Sequence, residues 1–483
     1  MIEWRRTGER VGGMITRKIC AMMLLLAAAL VVSAGPTTAG KARGMDTKRL
    51  ARVAQPGGTE TQLTHGKCNH WMMPFAPFSP DCRWIVYDTR VDDVAMGSNG
   101  AIFKVETRTG EIVRVYRAPQ QARNGPGCGT ASFSPDGRVV FIHGVPGLPY
   151  EITRRVAMEV DDGHTRFLDA RDVTPPFTPG ALRGGTHAHM WSGDSHWIGF
   201  TYNDQLMAAR GNDLRTVGVM TDSKPVARLL PVKVNHDTAG ENINGEWFTV
   251  VIARVTPEPR PGSDEISRAF ENAWVGRKGY LKEDGSRQRA QTFIGATRDD
   301  KGCEVDEVFI ADIPDRIDIP GPTRPLEGTT SDFPQPPAGV TQRRLTRMTN
   351  WRHPGVVTDP RHWLAPSPDG RFIAFLARDD AGVTQVFLVR PQGGEPLELT
   401  HNVSGVTTTI SWSPDSTRVA YAIKGSLFEE RVSKEGSLVG NDLLTRQSDN
   451  PIYYPAWSPS GREIAFVREI GLFRQIFLLK LKK

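Results

Sequence analysis

The feature that most constrains the fold is a short sequence, Ser-Pro-Asp-Gly or a near copy of it, that recurs along the chain. Six copies begin at Ser79, Ser134, Ser192, Ser367, Ser413 and Ser458. In such a tetrapeptide, Pro presets φ, Asp bonds the local backbone and Gly supplies a positive φ. Each copy is followed by an alternating apolar stretch, as in residues 139–142 and 372–375. The motif therefore predicts a β-hairpin with a tight turn.

The spacing of the copies predicts how the hairpins assemble. Successive serines lie 55, 58, 46 and 45 residues apart, apart from one gap of 175 residues between Ser192 and Ser367. Further β-rich segments complete each unit to four short strands, which is typical of a propeller blade. The long gap predicts one degenerate blade, placed at 247–252 with 305–310 as its later strand. The predicted fold is an all-β, seven-bladed propeller of four-stranded blades.

The two ends of the repeat region predict how the ring closes. The last unit stops at 476–479 and lacks the Leu-Thr strand that ends another unit at 399–400. A matching Gln62-Leu63-Thr64 stands near the other end. We expect this N-terminal strand to complete the C-terminal blade of a propeller spanning 61–483, which removes an exposed sheet edge.

Two insertions interrupt the repeats. In the first, at about 257–300, Ser263 is a good N-cap, and apolar residues recur at helical spacing. They are Ile266, Ala269, Phe270, Ala273 and Trp274. This pattern predicts a short helix. The second, 313–342, is rich in proline without periodicity and predicts an extended connection.

Residues 1–34 read as a secretory signal peptide, with basic residues before the apolar run 19–32. A flexible segment, 35–60, would follow, and the exported chain would be a periplasmic or secreted monomer without stable membrane insertion. The leader carries half of the net charge of +6, so the remainder has no basic footprint for nucleic acid. Outside the leader there are four cysteines, Cys68, Cys82, Cys128 and Cys303. They could be free or paired, and the sequence leaves the pairing open.

The hairpins and Leu-Thr strands resemble the propeller repeats of TolB, over essentially 61–483. Four stretches are similar to an uncharacterised bacterial family of TolB-like exported proteins: 177–185, 186–189, 262–266 and 360–363. That resemblance implies a propeller without naming a reaction. A weaker resemblance, on short motifs, is to oligogalacturonate lyases, metal-dependent propeller enzymes with histidines just ahead of these hairpins.

Histidines are the candidate metal ligands. His187 and His362 each stand five residues before the serine of a repeat, which predicts equivalent places near the channel entrance. His189 shares a strand face with His187, and His70 lies ahead of the first hairpin. Neutral imidazoles that converge there could hold Mn, Zn or Fe. The alternative is that these residues pack between blades and bond loop backbone.

Two functions follow from these patterns. The first is a module that binds an envelope protein, a peptide or a saccharide at the channel mouth. The second is a metal-dependent lyase of acidic oligosaccharides, in which Arg183 and Arg361 are candidates for binding the substrate carboxylate or for abstracting the proton. No phosphate loop, dinucleotide fingerprint or hydrolase domain is evident. Whether the chain is an enzyme stays open at this point.

Overall fold

Each Ser-Pro-Asp-Gly copy forms a tight hairpin that the serine hydroxyl organises. The structure is a computed structural model and describes residues 50–92, 95–212, 214–322 and 324–482. The Ser413 hydroxyl donates to Asp415 at 2.5 Å and accepts the main-chain N–H of Arg418 at 2.9 Å. The turn ends with a positive φ, which is +101° at Gly137. The predicted hairpin and the predicted role of glycine are confirmed.

The described strands form seven radial sheets, with two small extra pairs. Strands β1 (Arg52–Gln55) and β2 (Gly58–Gln62) come first. Blade 1 holds β3 (Trp84–Asp88), β4 (Ala101–Glu106) and β5 (Ile112–Arg117), and its innermost segment joins through bridges at Trp71 and Phe78. Blade 2 holds β6 (Cys128–Phe133), β7 (Val139–Gly144), β8 (Arg155–Asp161) and β9 (His164–Phe167). The parallel pair β10 (Ala170–Arg171) and β11 (Ala181–Leu182) follows.

The remaining blades have the same antiparallel order. Blade 3 holds β12 (Gly184–Trp191), β13 (Trp197–Asp204), β14 (Thr216–Thr221) and β15 (Phe248–Val251). Blade 4 holds β16 (Arg268–Trp274), the small hairpin β17 (Tyr280–Leu281) and β18 (Arg287–Gln288), then β19 (Ala290–Arg298), β20 (Glu304–Asp312) and β21 (Thr341–Arg344). Blade 5 holds β22 (Ala365–Pro366), β23 (Ile373–Arg378), β24 (Thr384–Val389) and β25 (Leu397–Glu398).

Blade 6 holds β26 (Ser411–Trp412), β27 (Arg418–Ile423), β28 (Ser426–Val432) and β29 (Leu438–Leu443). Blade 7 holds β30 (Ile452–Trp457), β31 (Glu463–Ile470) and β32 (Phe473–Leu481). Helix is confined to three single turns in the described residues: Met96–Ser98, Gln205–Ala208 and Ala227–Leu229. The predicted all-β, seven-bladed propeller is confirmed.

Seven hydrophobic clusters join each blade to the next around the ring. Successive residues of β31 point to opposite faces of their sheet. Ala465 and Val467 therefore pack with blade 1, whereas Ile464 and Phe466 pack with blade 6. Because both faces of every sheet are buried in this way, no blade is a separate domain.

The N-terminal strand closes the ring. Strand β2 pairs antiparallel with β32, with Thr61 opposite Leu478 and Gln62 opposite Phe477, and β1 adds a fifth strand outside it. The predicted closure is confirmed, although the propeller begins at Arg52 and so includes part of the segment 35–60. Residues 1–34 lie outside the described residues.

The recurring Leu-Thr pair has a shared structural role. In blade 5 the Thr400 hydroxyl accepts the main-chain N–H of Val386 at 2.9 Å. Thr64 accepts the N–H of Ile476 at 2.8 Å across the ring closure. Thr346 and Thr445 act in the same way, and blade 2 places Asp169 there, on the N–H of Ala157 at 2.6 Å. The threonine, or Asp169 in blade 2, thus accepts a main-chain N–H of the third strand at a point just beyond the residues that pair with the fourth strand.

The degenerate blade differs from its prediction. Phe248–Val251 is the outermost strand of blade 3, and only 305–310 belongs to blade 4. The predicted helix is wrong, because Arg268–Trp274 is the innermost strand of blade 4. A bulge between Phe270 and Ala273 shifts the alternation by one residue. Buried positions on both faces of a bulged strand therefore mimicked helical spacing.

In the proline-rich segment 313–342, the described residues before β21 form neither helix nor strand. Its apolar side chains Ile317 and Leu326 pack in the cluster between blades 3 and 4, and Phe333 packs in the cluster between blades 2 and 3.

Cys68, Cys82, Cys128 and Cys303 are free thiols. None of the described helices is long and apolar enough to span a membrane.

Candidate functional site

Four innermost strands carry a bulge at equivalent positions around the channel. The residues at this point have left-handed backbone: Thr130, Ala188, Glu271 and Tyr454, with φ between +50° and +56°. The strand register shifts at each of them. Because a bulge re-aims the side chains that follow it, these positions determine what faces the propeller axis.

Aromatic rings from three blades meet at that axis. Phe75 contacts Trp363 edge-on at 5.4 Å between ring centroids, Trp363 lies 6.2 Å from Tyr454, and Tyr454 lies 5.8 Å from Trp71. Met73 and Met190 join the same cluster. We call this set the aromatic plug, since it fills the middle of the channel.

A cavity of about 560 Å³ opens from the plug toward the turns of the repeat hairpins. We call it the hairpin cavity. All seven blades contribute to its wall, which is mainly apolar. Its tryptophans are Trp191, Trp274, Trp363, Trp412 and Trp457, and its prolines include Pro74, Pro80, Pro135, Pro368 and Pro459.

Contacts between neighbouring blades hold several of these indoles in place. The Nε1–H of Trp274 donates to the Met190 carbonyl and that of Trp412 to the Ala365 carbonyl, each at 2.8 Å and each across a blade boundary. The guanidinium of Arg418 lies 4.3 Å from the centre of the Trp457 ring. Contacts within the protein therefore fix the positions of Trp274, Trp412 and Trp457 in the wall.

A second cavity of about 380 Å³ adjoins the first. The two share Ser192, Gly193, Trp274, Gly276 and Arg277 in their walls. The extended hairpin of blade 4, β17–β18, borders the second cavity, whose lining is mostly polar and charged. The geometry thus combines an aromatic chamber with a charged annex.

His362, a predicted metal ligand, has both ring nitrogens in use. Its Nε2 accepts the main-chain N–H of Leu376 at 3.3 Å, and its Nδ1 donates to the Pro360 carbonyl at 3.3 Å. Burial lowers its pKa to about 4. With both nitrogens bonded to backbone, the imidazole has no lone pair left for a metal.

His189 takes part in a buried bridge between blades 2 and 3. Thr186 donates to Asp169 at 2.8 Å, so its hydroxyl oxygen accepts from His189 Nε2 at 3.0 Å. Burial lowers the pKa of His189 to about 3 and raises that of Asp169 to about 6. These groups join β12 to blade 2, away from the channel cavities.

His187 is buried beside positive charge. Burial first, and then the guanidinium groups of Arg155, Arg215 and Arg361, hold its pKa well below the ordinary value. Arg361 thus lies near enough to His187 to influence its charge, and within the described residues His187 belongs to no group of three His, Cys, Asp or Glu side chains that could hold a metal ion.

His70 lies apart from the other three histidines, at the junction of blades 7 and 1. Its main-chain N–H donates to the Arg474 carbonyl at 2.9 Å, and its ring packs on Tyr87 at 5.2 Å between centroids. Its Nε2 stands 3.8 Å from the Cys68 sulfur. Burial is the main cause that lowers its pKa.

The four histidines do not form a metal site. Across residues 50–92, 95–212, 214–322 and 324–482, no group of three or more His, Cys, Asp or Glu side chains could hold a metal ion. His187 and His362 each stand five residues before their serines but occupy different surroundings, because His187 lies in β12 directly before its bulge, whereas His362 precedes the short strand β22. The predicted Mn, Zn or Fe centre does not fit these residues.

Arg183, a predicted catalytic residue, is a fully buried anchor. It donates to Asp204 at 2.9 Å, to the Asp332 carbonyl at 3.0 Å and to the Thr329 carbonyl. It thereby fastens the proline-rich segment to blade 3, and no substrate can reach it. Arg361 is half-exposed, donates to Glu271 of blade 4 at 2.8 Å and lies 4.7 Å from the Trp363 ring centre.

The sequence reasoning missed the residues that dominate the hairpin cavity. A signal was present: Trp191, Trp412 and Trp457 each stand directly before the serine of a repeat. Equivalent positions in a closed ring converge on one mouth of the channel. The repeated Trp-Ser pair could therefore have predicted an aromatic chamber.

Sequence comparison identifies the family of the chain. A family described as protein of unknown function, DUF3748, matches residues 127–237. The uncharacterised protein YidR of Escherichia coli strain K12 is 38% identical over 421 residues, which cover 84% of this chain and 94% of YidR. The predicted resemblance to an uncharacterised bacterial family is thereby confirmed.

Solved structures resemble the chain in fold. An oligogalacturonate lyase in complex with manganese aligns with a TM-score of 0.50 and 11% identity, over 90% of this chain and 96% of the lyase. TolB from Acinetobacter baumannii aligns with a TM-score of 0.34 and 14% identity, over 83% of this chain and 64% of TolB. At 11% identity the likeness to the lyase concerns the fold alone.

Proposed function

We propose that this chain, which belongs to the same family as YidR of Escherichia coli, is an exported, monomeric propeller that binds a peptide segment of an envelope protein in its hairpin cavity. The observation that carries this proposal is the preformed chamber of tryptophan and proline side chains, about 560 Å³ in volume, above the aromatic plug. A concave, largely apolar pocket with few polar groups is the usual form of a binding site.

The wall chemistry favours a peptide over a saccharide. A sugar presents many hydroxyl groups, each of which needs a partner when it loses water. The side-chain hydroxyls of the repeat serines in the wall are already committed to their own turns, as at Ser367 and Ser413. Proline and aromatic side chains of a peptide, by contrast, pack well on tryptophan faces.

Export rests on the leader 1–34, whose basic and apolar blocks are typical of a signal peptide. The partner would then belong to the cell envelope. The weak net charge that remains disfavours nucleic acid as the ligand.

The metal-dependent lyase is not our proposal. The likeness to the manganese-bound lyase is one of fold, whereas both ring nitrogens of His362 are bonded to backbone and His187 is a buried imidazole whose pKa is held well below its ordinary value by burial and by nearby arginines. Arg183 is enclosed by its own anchoring bonds. Only Arg361 keeps an exposed position among the predicted catalytic residues.

The experiment is a selection of phage-displayed random dodecapeptides on the purified protein, followed by titration of the selected peptides. Intrinsic tryptophan fluorescence reports binding, since five indoles line the cavity. Phe75→Ala removes a half-buried ring from the wall and should weaken binding by about 10-fold, the effect of about 1.4 kcal/mol. Phe428→Ala is the matched control, a half-buried ring that stacks on Tyr421 at 5.9 Å in blade 6 and does not line the cavity.

Equal binding by wild type and Phe75→Ala would contradict the proposal. So would the absence of any selected peptide. Incubation of the same protein with oligogalacturonate and Mn²⁺ tests the lyase directly, because β-elimination creates an unsaturated product that absorbs ultraviolet light. Turnover that is lost on removal of the metal would replace our proposal with that enzyme.

A further inference from the structure

The first hairpin of blade 4 is unlike the others. The other blades turn between their first two strands with Ser-Pro-Asp-Gly or a near copy, but blade 4 uses the longer segment 275–289, which contains the β17–β18 pair. We call this segment the blade 4 hairpin. It forms one side of the charged annex, and at Arg277 it also reaches the wall of the hairpin cavity.

The blade 4 hairpin is built rigidly. The main-chain N–H of Arg277 donates to the Pro368 carbonyl of blade 5 at 2.8 Å. Tyr280 is buried and donates to Asp312 at 3.0 Å. Gly279 has a φ of +76°, and a Cβ there would lie 2.1 Å from the Gln288 carbonyl oxygen. Side chains on this hairpin therefore stand at defined places beside the cavity.

The side chains in the wall of the annex carry an excess of positive charge. The wall contains Arg277, Lys278, Arg287 and Arg289. Arg289 is neutralised by Asp315 at 2.9 Å and by Asp194 at 3.8 Å, and these two are the acidic residues of that wall. Within the part of the chain that the structure describes, Arg277, Lys278 and Arg287 form no ion pair.

Arg287 is also oriented by the backbone. One of its guanidinium nitrogens donates to the Gly279 carbonyl at 2.9 Å, which leaves other N–H groups of the fork for a ligand. A guanidinium fork matches the two oxygens of a carboxylate. The annex therefore presents three cations, one of them prearranged, immediately beside an apolar chamber.

We propose that the blade 4 hairpin selects acidic peptides: the ligand places an aromatic or proline residue in the hairpin cavity, and adjacent Asp or Glu side chains bind Arg277, Lys278 and Arg287 in the annex. This inference rests on the proposed peptide-binding function. It adds a charge requirement that an apolar chamber alone would not impose.

The test uses the dodecapeptides selected on wild-type protein and, for each, a synthetic copy in which Asp and Glu are replaced by Asn and Gln. We expect the selected peptides to be enriched in Asp and Glu beside an apolar residue. The variant Arg277→Ala/Lys278→Ala/Arg287→Ala should bind them about 5- to 50-fold more weakly and should lose the preference over the Asn and Gln copies. Binding to wild type should also weaken as salt is raised.

The matched control removes three exposed or half-exposed positive charges elsewhere, in Lys282→Ala/Lys301→Ala/Lys434→Ala. Lys282 is on the same hairpin but pairs with Asp284 at 3.7 Å and lines neither cavity. The affinity of this control variant for the selected peptides should match that of wild type. If the control loses as much affinity as Arg277→Ala/Lys278→Ala/Arg287→Ala does, a general effect of net charge replaces the inference.

The outcomes separate the two proposals. Peptides that need Phe75 but show no acidic enrichment and no loss in the annex variant overturn this inference and leave the proposed function in place. Binding that is insensitive to Phe75→Ala overturns both. Selective binding of oligogalacturonate in preference to any peptide overturns both as well and assigns the annex to a saccharide carboxylate.

Discussion

The Nε2 atom of His362 accepts the main-chain N–H of Leu376 at 3.3 Å. In the next blade, Thr408 stands at the same distance from its repeat serine, and its hydroxyl accepts the N–H of Ala422 at 2.8 Å. In each blade the side chain takes the place of a main-chain carbonyl as the acceptor for an N–H of the second strand, because the inner segment is irregular at this point. This equivalence assigns His362 a structural role.

We expect His362→Ala and Thr408→Ala each to lower the free energy of unfolding by about 1–3 kcal/mol, because each leaves a buried N–H without an acceptor. Urea denaturation of both variants measures this. Addition of EDTA should change neither the wild type nor the variants. A wild-type stability that falls with EDTA, together with a His362→Ala variant that does not respond, would instead support a metal role for this residue.

Acid should unfold the protein partly through His362. Burial lowers its pKa from 6.5 to about 4, so the folded state binds fewer protons than the unfolded state between these values. The stability contribution is complete above about pH 6.5 and is lost as pH falls toward 4, by at most about 3 kcal/mol. Unfolding free energies of wild type and His362→Ala across this range should converge at low pH, and parallel curves would contradict the assignment.

The titration of Asp169 should change the stability of the protein with pH in the direction opposite to that of His362. Burial raises its pKa from 3.8 to about 6, so the folded state holds the proton more tightly and its stability falls as pH rises from about 4 to 6. Asp169→Asn keeps an oxygen that can accept the Ala157 N–H. Its amide N–H would donate to the Thr186 hydroxyl, which would then donate to Nε2 of His189. The proton of that ring can move to Nδ1, because Nδ1 has no other partner.

We therefore expect Asp169→Asn to be at least as stable as wild type at pH 7 and to lose this part of the pH dependence. Thermal unfolding at pH 4, 5, 6 and about 7 measures both properties. Asp169→Ala is the control, since it removes the acceptor as well, and it should be destabilised at every pH. A strongly destabilised Asp169→Asn variant would show that the charge itself is required.

Ring closure can be tested with a single hydroxyl group. Thr64 and Thr400 make the same pair of bonds, the first across the ends of the chain and the second within blade 5. If the closing strand is as firmly built as the rest, Thr64→Val and Thr400→Val should each cost about 1–3 kcal/mol. Chemical denaturation compares them, and a Thr64→Val variant with wild-type stability would show that the N-terminal strand contributes little.

The repeat turn offers a test of backbone strain without a change of packing. Gly137 has a φ of +101°, and a Cβ at this position would meet no atom within 4 Å. Gly137→Ala should therefore cost about 1–2 kcal/mol through conformation alone. Cys82→Gly is the reverse experiment, because Cys82 has a φ of +61° at the equivalent place, and it should not destabilise the protein. A neutral Gly137→Ala would mean that the turn adjusts its shape.

Much of the architecture was accessible from the sequence because its causes are local. A hairpin turn depends on four residues, as at Ser134 to Gly137, and a buried strand depends on alternation over a few positions. The same local reasoning failed at Arg268–Trp274, where one bulged residue, Glu271, breaks the alternation that distinguishes a strand from a helix.

The candidate site was harder to predict because its members lie far apart in the chain. Trp71, Trp363 and Tyr454 meet only after five or more blades have closed into a ring. His187 and His362 share a sequence position but not an environment, since His187 lies in the bulged strand β12 and His362 precedes the short strand β22. Two of the three partners of Arg183, the carbonyls of Thr329 and Asp332, lie about 150 residues away, in a segment without any repeat pattern.

By itself, the sequence determined the repeating unit, the number of blades and the pairing of the two ends, because turn chemistry and side-chain alternation act over a few residues and then recur. Only the tertiary structure decided that His362 bonds the backbone and His189 bonds Thr186, that Arg183 anchors a loop, and that tryptophans and three cations line neighbouring cavities. Those outcomes depend on which groups from distant blades share a low-dielectric interior, and that is set when all seven sheets pack around one axis.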